Sequence, residues 1–185
     1  YFPGQPGDMT VFGWQLMALK SGRMAGLNVP SPVVELAKHY LNSVQTAQGA
    51  QYGYQEPVKS PTPTAVGLLS RMYLGWRQDD ERLSRGVTYL ANLGPSRTDV
   101  YFDYYATQVL AHHDGPEWPK WNEKLRDHLI RTQAARGHER GSWYFPDKHG
   151  KVGGRVYTTA MCLMILEVYY RHMPLYGERA LDLEF

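Results

Sequence analysis

Three aspartates, Asp8, Asp99 and Asp103, stand where helical periodicity begins. Carboxylates gathered at helix starts suit a general acid and base pair; helix capping and dipole pairing account for the same residues. The segment Gly150-Lys151-Val152-Gly153-Gly154-Arg155 precedes another helical stretch, where an anion can be cradled at the N-terminus. It follows neither the Walker nor the dinucleotide pattern, and a flexible loop is the plainer reading. His112 and His113 are adjacent, about 100° apart on a helix, so they cannot share a metal as an i, i+4 pair does. The single Cys162 lies within the apolar run from Ala160 to Leu166. It excludes an internal disulfide and a multi-cysteine metal site, and reads as a small buried hydrophobe. No metal and no cofactor are expected. Tyr101, Phe102, Tyr104 and Tyr105 cover every side of one helix start, so some of these rings face the mouth of an enclosed space while the others pack the core.

The elements that position these residues are helices. The chain has 185 residues, 43% hydrophobic and 21% charged, which is ordinary for a folded domain. A net charge of +2 with scattered basic residues gives no footprint for nucleic acid, and no apolar run is long enough for a membrane span. The compartment is left open. Strand signals are nearly absent, while helical periodicity occurs over 8–20, 31–46, 62–76, 79–92, 100–113, 118–134 and 155–172. Ser31-Pro32 reads as an N-cap followed by a first-turn proline, and Asp79-Asp80 as acceptors at a helix start. Gly22, Gly94 and Gly115 mark helix ends, and Lys20, His112, His113, Arg171 and His172 fall in last turns, where the dipole favours them.

The helices alternate in character. The spans 8–20, 62–76 and 155–172 are apolar nearly all round, for example Ala65, Val66, Leu68, Leu69, Met72, Tyr73 and Leu74. The spans 31–46 and 118–134 carry one apolar stripe each: Val33, Leu36, Ala37, Tyr40, Leu41 and Val44 in the first, Trp118, Trp121, Leu125 and Leu129 in the second. A helix apolar all round must be enclosed, whereas an amphipathic one covers a surface. The fold class that follows is all-α: a toroid-like double layer of helix pairs, enclosed helices inside and amphipathic ones outside, forming an open arc of about seven helices.

An internal repeat supports this. Val11, Ala65, Ala106 and Ala160 open comparable inner helices, at steps of 54, 41 and 54 residues, sizes that fit one helix pair per unit. Tyr1-Phe2-Pro3 recurs as Tyr144-Phe145-Pro146. The second copy follows Gln133 and Gly141-Ser142-Trp143, with a related form in Gln45, Gly49 and Tyr52-Gly53-Tyr54. The chain is therefore expected to be one helical-repeat domain cut from a longer repeat protein. Gln133 with Gly141-Ser142-Trp143, between an outer and the next inner helix, resembles the Gln–Trp repeat of the terpenoid cyclase and protein prenyltransferase superfamily. In texture the chain is similar to the prenyltransferase and squalene oxidase repeat proteins of bacteria such as planctomycetes. The motif's physical role is local: the amide satisfies backbone groups at adjoining helix ends, and the indole packs over the junction.

What that resemblance implies about activity is not carried by the residues here. Cyclases of the family protonate an alkene with an Asp-x-Asp-Asp-Thr motif; the pair Asp79-Asp80 is preceded by Arg77 at the first aspartate's place and followed by Glu81. Protein prenyltransferases hold zinc with Asp, Cys and His, yet Tyr157-Thr158-Thr159 lacks the histidine that the family's motif would have. The thioester motif of complement-type relatives is absent. The leading expectation is a non-catalytic repeat module that binds a ligand or protein partner on its concave face. The alternative is a cavity enzyme, terpenoid-cyclase-like, prenyltransferase-like or carbohydrate-active. Inner-helix starts gather at one rim of such an arc, which selects Asp8, Trp14, Asp103, Tyr104, Arg155 and Tyr157 as candidate ligand-binding residues.

Overall fold

A computed structural model describes Phe2 and residues 4–171, with side chains inside the last helix described as far as Val168. The described residues form seven helices, α1 (Met9–Met24), α2 (Ser31–Val44), α3 (Pro61–Tyr73), α4 (Glu81–Leu93), α5 (Val100–His113), α6 (Trp118–Thr132) and α7 (Lys148–Arg171). The only described strands are β1 (Gln45–Thr46) and β2 (Gln51–Tyr52), an antiparallel ladder pairing Gln45 with Tyr52 around the 3-10 turn Ala47–Gly49. All-α is the fold class. His172, expected in a last turn, lies outside the described residues, as do Tyr1 and Pro3.

The described chain forms two compact units, one ending at Tyr89 and the other beginning at Leu90. In the first, α1 packs along α3; in the second, α7 and α6 pack on α5. In each unit a helix thus packs along the helix two elements on.

The expected division into enclosed and covering helices holds for α3 and α5, and fails for α1 and α7. Every residue of α3 from Pro63 to Tyr73 is buried, as is every residue of α5 from Val100 to Leu110. By contrast α1 buries one stripe, Met9, Gly13, Leu16 and Lys20, and leaves Val11 39% exposed. Helix α7 buries Thr158, Met161, Cys162, Ile165 and Val168, while Val156 is 83% exposed. A helix packed along one side hides only that side, however apolar its remaining positions are. The amphipathic helices behave as read, with their stripes shifted: α2 buries Val34, Ala37, Leu41 and Val44, leaving Val33 and Leu36 exposed, and α6 buries Trp121, Leu125 and Leu129.

The helix ends correct three details. Ser31 is already helical and Pro30 holds the cap position, because Pro30 and Pro32 both fix a φ compatible with a helix start. Helix α1 runs through Gly22 and Lys20 to Met24, and the positive φ beyond it belongs to Gly26 (+77°). After α5 it is Asp114, not Gly115, that turns left-handed (φ +51°); a short polar side chain tolerates that region better than most. Gly94 ends α4 as expected, at φ +72°.

Candidate functional site

The Gln–Trp segment is a clasp between α6 and α7. Trp143 is buried, and its indole N–H donates to the Leu129 carbonyl in the last turn of α6 at 2.7 Å. That carbonyl also receives the Gln133 N–H at 3.1 Å. The Gln133 amide donates to the Gly141 carbonyl at 2.9 Å, closing the loop on itself rather than capping a helix. The indole therefore does the work at the helix end. Thr159, on α7, accepts from the Trp143 N–H at 3.1 Å and donates to its carbonyl at 3.3 Å.

The same device joins α2 to α3. Thr64 accepts from the Tyr52 N–H at 3.1 Å and donates to its carbonyl at 3.3 Å. Tyr52 is fully buried, and its ring lies against Gly67, where an added Cβ would stand 2.4 Å from the ring. Its hydroxyl accepts from Arg71 Nε at 3.0 Å, and Arg71 also reaches Asn42 at 2.6 Å and Gln45 at 3.3 Å. Arg71 and Arg82 stand over Trp76, at 5.1 and 4.0 Å from its ring centre. The two threonines occupy the positions just before Ala65 and Ala160, which the repeat had aligned. Their signal was in the sequence, one residue before the repeated alanines, but threonine at a helix start has too many ordinary uses to stand out.

The six candidate residues fall into two sets, one per unit. Asp8 and Trp14 lie on α1. Asp8 is buried and caps that helix, accepting from Thr10 N–H at 2.8 Å and Val11 N–H at 3.0 Å. It helps push the Tyr40 hydroxyl up to about 12, after burial, which is the larger cause. Trp14 is half-buried. Asp103, Tyr104, Arg155 and Tyr157 belong to α5 and α7. Asp103 is 2% exposed and accepts from the Ser96 N–H at 2.7 Å. Burial, helped by neighbouring Asp99 and opposed by that hydrogen bond, holds its carboxyl well above the usual range. Tyr104 is buried, its ring 5.1 Å from that of Tyr105. Arg155 turns to the clasp loop, pairing with Glu139 at 2.9 Å, donating to Ser142 at 3.3 Å and lying 5.4 Å from the Tyr144 ring centre.

Tyr157 forms the centre of a group at the start of α7. Gly154, at φ +67° and ψ −164°, breaks the helix there; only glycine adopts that conformation readily. The break turns His149 back so that its ring lies 5.6 Å from Tyr101 and 6.5 Å from Tyr157. Tyr157 is half-buried, and its hydroxyl oxygen is buried with no hydrogen-bond partner among the described residues. Burial first, then Asp147, Asp99, Tyr101 and Cys162, raises its proton affinity far above a free phenol's. His149 and Asp147 escaped the sequence reading, because nothing local says that they fold back onto α5.

Other candidates are structural. Asp99 caps α5 through Phe102 N–H at 3.0 Å. Asp80 receives the Arg82 N–H at 2.9 Å and pairs with its guanidinium at 2.6 Å. The Cys162 thiol is fully buried and pushed up to about 12 by burial and by Asp103. Among the described residues no three His, Cys, Asp or Glu side chains are grouped to hold a metal, and no helix is long and apolar enough to cross a membrane. Comparison of the chain with protein-family models, curated proteins and solved structures finds no match.

Proposed function

We propose that the chain is a non-catalytic helical-repeat module that binds a ligand or protein partner where its inner helices begin, with Tyr157 at the centre of the site. The observation that carries this is the orphaned hydroxyl of Tyr157. A buried phenol without a partner costs about 1–3 kcal/mol, and a ligand acceptor or donor beside it would recover that energy. The candidate acids, by contrast, are occupied: Asp8, Asp99 and Asp103 each hold backbone N–H groups. Tyr101 and His149 add ring faces, and Asp99 and Asp147 add charge, which suits a ligand with apolar bulk and polar groups. Kinship with the terpenoid cyclase and protein prenyltransferase superfamily, as an open arc of the toroid class, belongs to the same proposal and rests on the clasp loops.

One observation favours an enzyme instead. A carboxyl whose proton affinity burial raises, as it does for Asp103, is the kind a general acid uses. Its hydrogen bond to Ser96 and its near-complete burial place it under the loop rather than before a substrate, so the binding reading stands first. The test is a panel of isoprenoid alcohols, phospholipids and oligosaccharides, followed by calorimetry and product analysis, on wild type, Tyr157→Phe and Tyr104→Ala. Saturable binding that weakens severalfold in Tyr157→Phe is expected, with the ligand unchanged and the melting temperature of the unliganded variant raised, because the unpaired buried hydroxyl is gone. Tyr104→Ala should instead unfold easily, since deleting a buried aromatic costs about 3–5 kcal/mol. Turnover of any compound, or binding indifferent to Tyr157→Phe, refutes the proposal.

A further inference from the structure

A second surface lies in the unit beginning at Leu90, lined by residues other than those of the Tyr157 group. The turn after α4, Gly94–Thr98, runs beside the outer helix α6, and between them is an open groove of about 760 Å³. That volume is within the range of sites that take a substantial ligand. The turn is held from both sides. Asp103 accepts the Ser96 N–H at 2.7 Å from beneath, and His128 Nε2 donates to the Arg97 carbonyl at 3.0 Å from α6. The Ser96 hydroxyl accepts from Thr98 N–H at 3.2 Å and Asp99 N–H at 2.9 Å. The His128 ring is stacked on Phe145 at 5.7 Å. A backbone fixed this firmly presents the Arg97 side chain at little entropic cost.

The charges around the groove are unequal once existing pairs are counted. Asp127 is taken by Arg126, whose guanidinium lies 2.9 Å from it. Arg131 Nε donates to the Asp127 backbone carbonyl at 3.1 Å, which leaves its charge uncompensated. Arg97, Lys124 and Arg131 have no carboxylate partner among the described residues, and Glu123 is the single acid left to oppose them. Beside these cations two apolar side chains stand open, Leu93 at 49% and Ile130 at 61% exposed. Exposed aliphatics flanking cations fit a polypeptide better than a nucleic acid. Strand binding would want aromatic rings for base stacking, and this groove has none of Phe, Tyr or Trp.

We infer that this groove docks an extended protein segment that sets an acidic side chain against Arg97, Lys124 and Arg131 and an aliphatic one against Leu93 and Ile130. Charge complementarity gives the register, and the two aliphatic contacts supply the apolar anchor. The test uses the full chain and an array of 12-residue synthetic peptides combining Glu or Asp with Leu or Ile at varied spacing, with Gln and Asn counterparts as controls. The best binder is measured by fluorescence anisotropy. The expected result is saturable, salt-sensitive binding lost in the amide counterparts, weakened about tenfold in Arg97→Gln/Arg131→Gln, where two charge pairs go. Ile130→Ser should weaken it severalfold, and Arg136→Gln, outside the groove, should not. All these positions are exposed, so folding is retained, and circular dichroism checks it. No binding by any peptide, binding indifferent to the double substitution, or tighter binding of a 12-nucleotide single-stranded RNA would each overturn the inference.

Discussion

Replacing Thr64 with valine tests the clasp at its most buried point. The two side chains have nearly the same shape, so the change removes a hydroxyl and little else. Thr64 and Tyr52 are both fully buried, and Thr64 is the partner of the Tyr52 N–H at 3.1 Å. The Tyr52 carbonyl keeps a second donor, the Ser60 N–H at 3.0 Å, so only the N–H is orphaned. An orphaned buried donor costs about 1–3 kcal/mol, and the added methyl returns at most about 0.8 kcal/mol. The net loss is therefore about 1–2 kcal/mol. At 2–4 °C per kcal/mol for a chain of this size, the melting temperature should fall by about 2–8 °C. Thermal unfolding followed by circular dichroism reads the global loss, and hydrogen exchange at the Tyr52 amide reads the local one. Thr159→Val removes the same bonds at a half-buried site, where water can replace them, and should cost under about 1 kcal/mol. If Thr64→Val is as stable as wild type and the Tyr52 amide exchanges no faster, the threonine is not holding the segment and the clasp argument fails.

Two further outcomes follow from the same packing and electrostatics. Gly67→Ala would raise helix propensity by about 1 kcal/mol at an exposed position. Here its Cβ meets the Tyr52 ring at 2.4 Å, so urea unfolding should show destabilisation of about 1–3 kcal/mol, and any gain in stability would contradict the packing. Asp103→Asn keeps the acceptor for Ser96 and removes the titration. Because the native carboxyl binds its proton more tightly than the unfolded one, its stabilising contribution is full below the ordinary carboxylate range and is lost as pH rises through the native value. The variant should therefore gain on wild type as melts are taken from pH 4 to pH 8, and a difference independent of pH would refute the assignment.

The helical class was legible because its cause is local. A 3.6-residue apolar period and capping residues at its ends name a helix wherever it sits, and each of the seven spans read from periodicity corresponds to a described helix. The last one was legible only from 155 onward: the stretch before the break at Gly154, read from its glycines as a loop, is helical from Lys148. The clasp loops were legible as a repeat, since Gln133 and Trp143 have counterparts in Gln45 and Tyr52. Burial was not. The helices α1 and α7 have much the same composition as α3 and α5, yet bury one stripe each, because enclosure depends on how many neighbours a helix has and not on its own residues. Partnership was equally hidden. No property of Arg155 says that it pairs with Glu139, none of Asp103 that it lies under Ser96, and none of His149 that it turns onto Tyr101. A side chain's identity fixes what it can bond, but the groups within its reach are set by the path of distant backbone, and that path is decided by the packing of the whole unit.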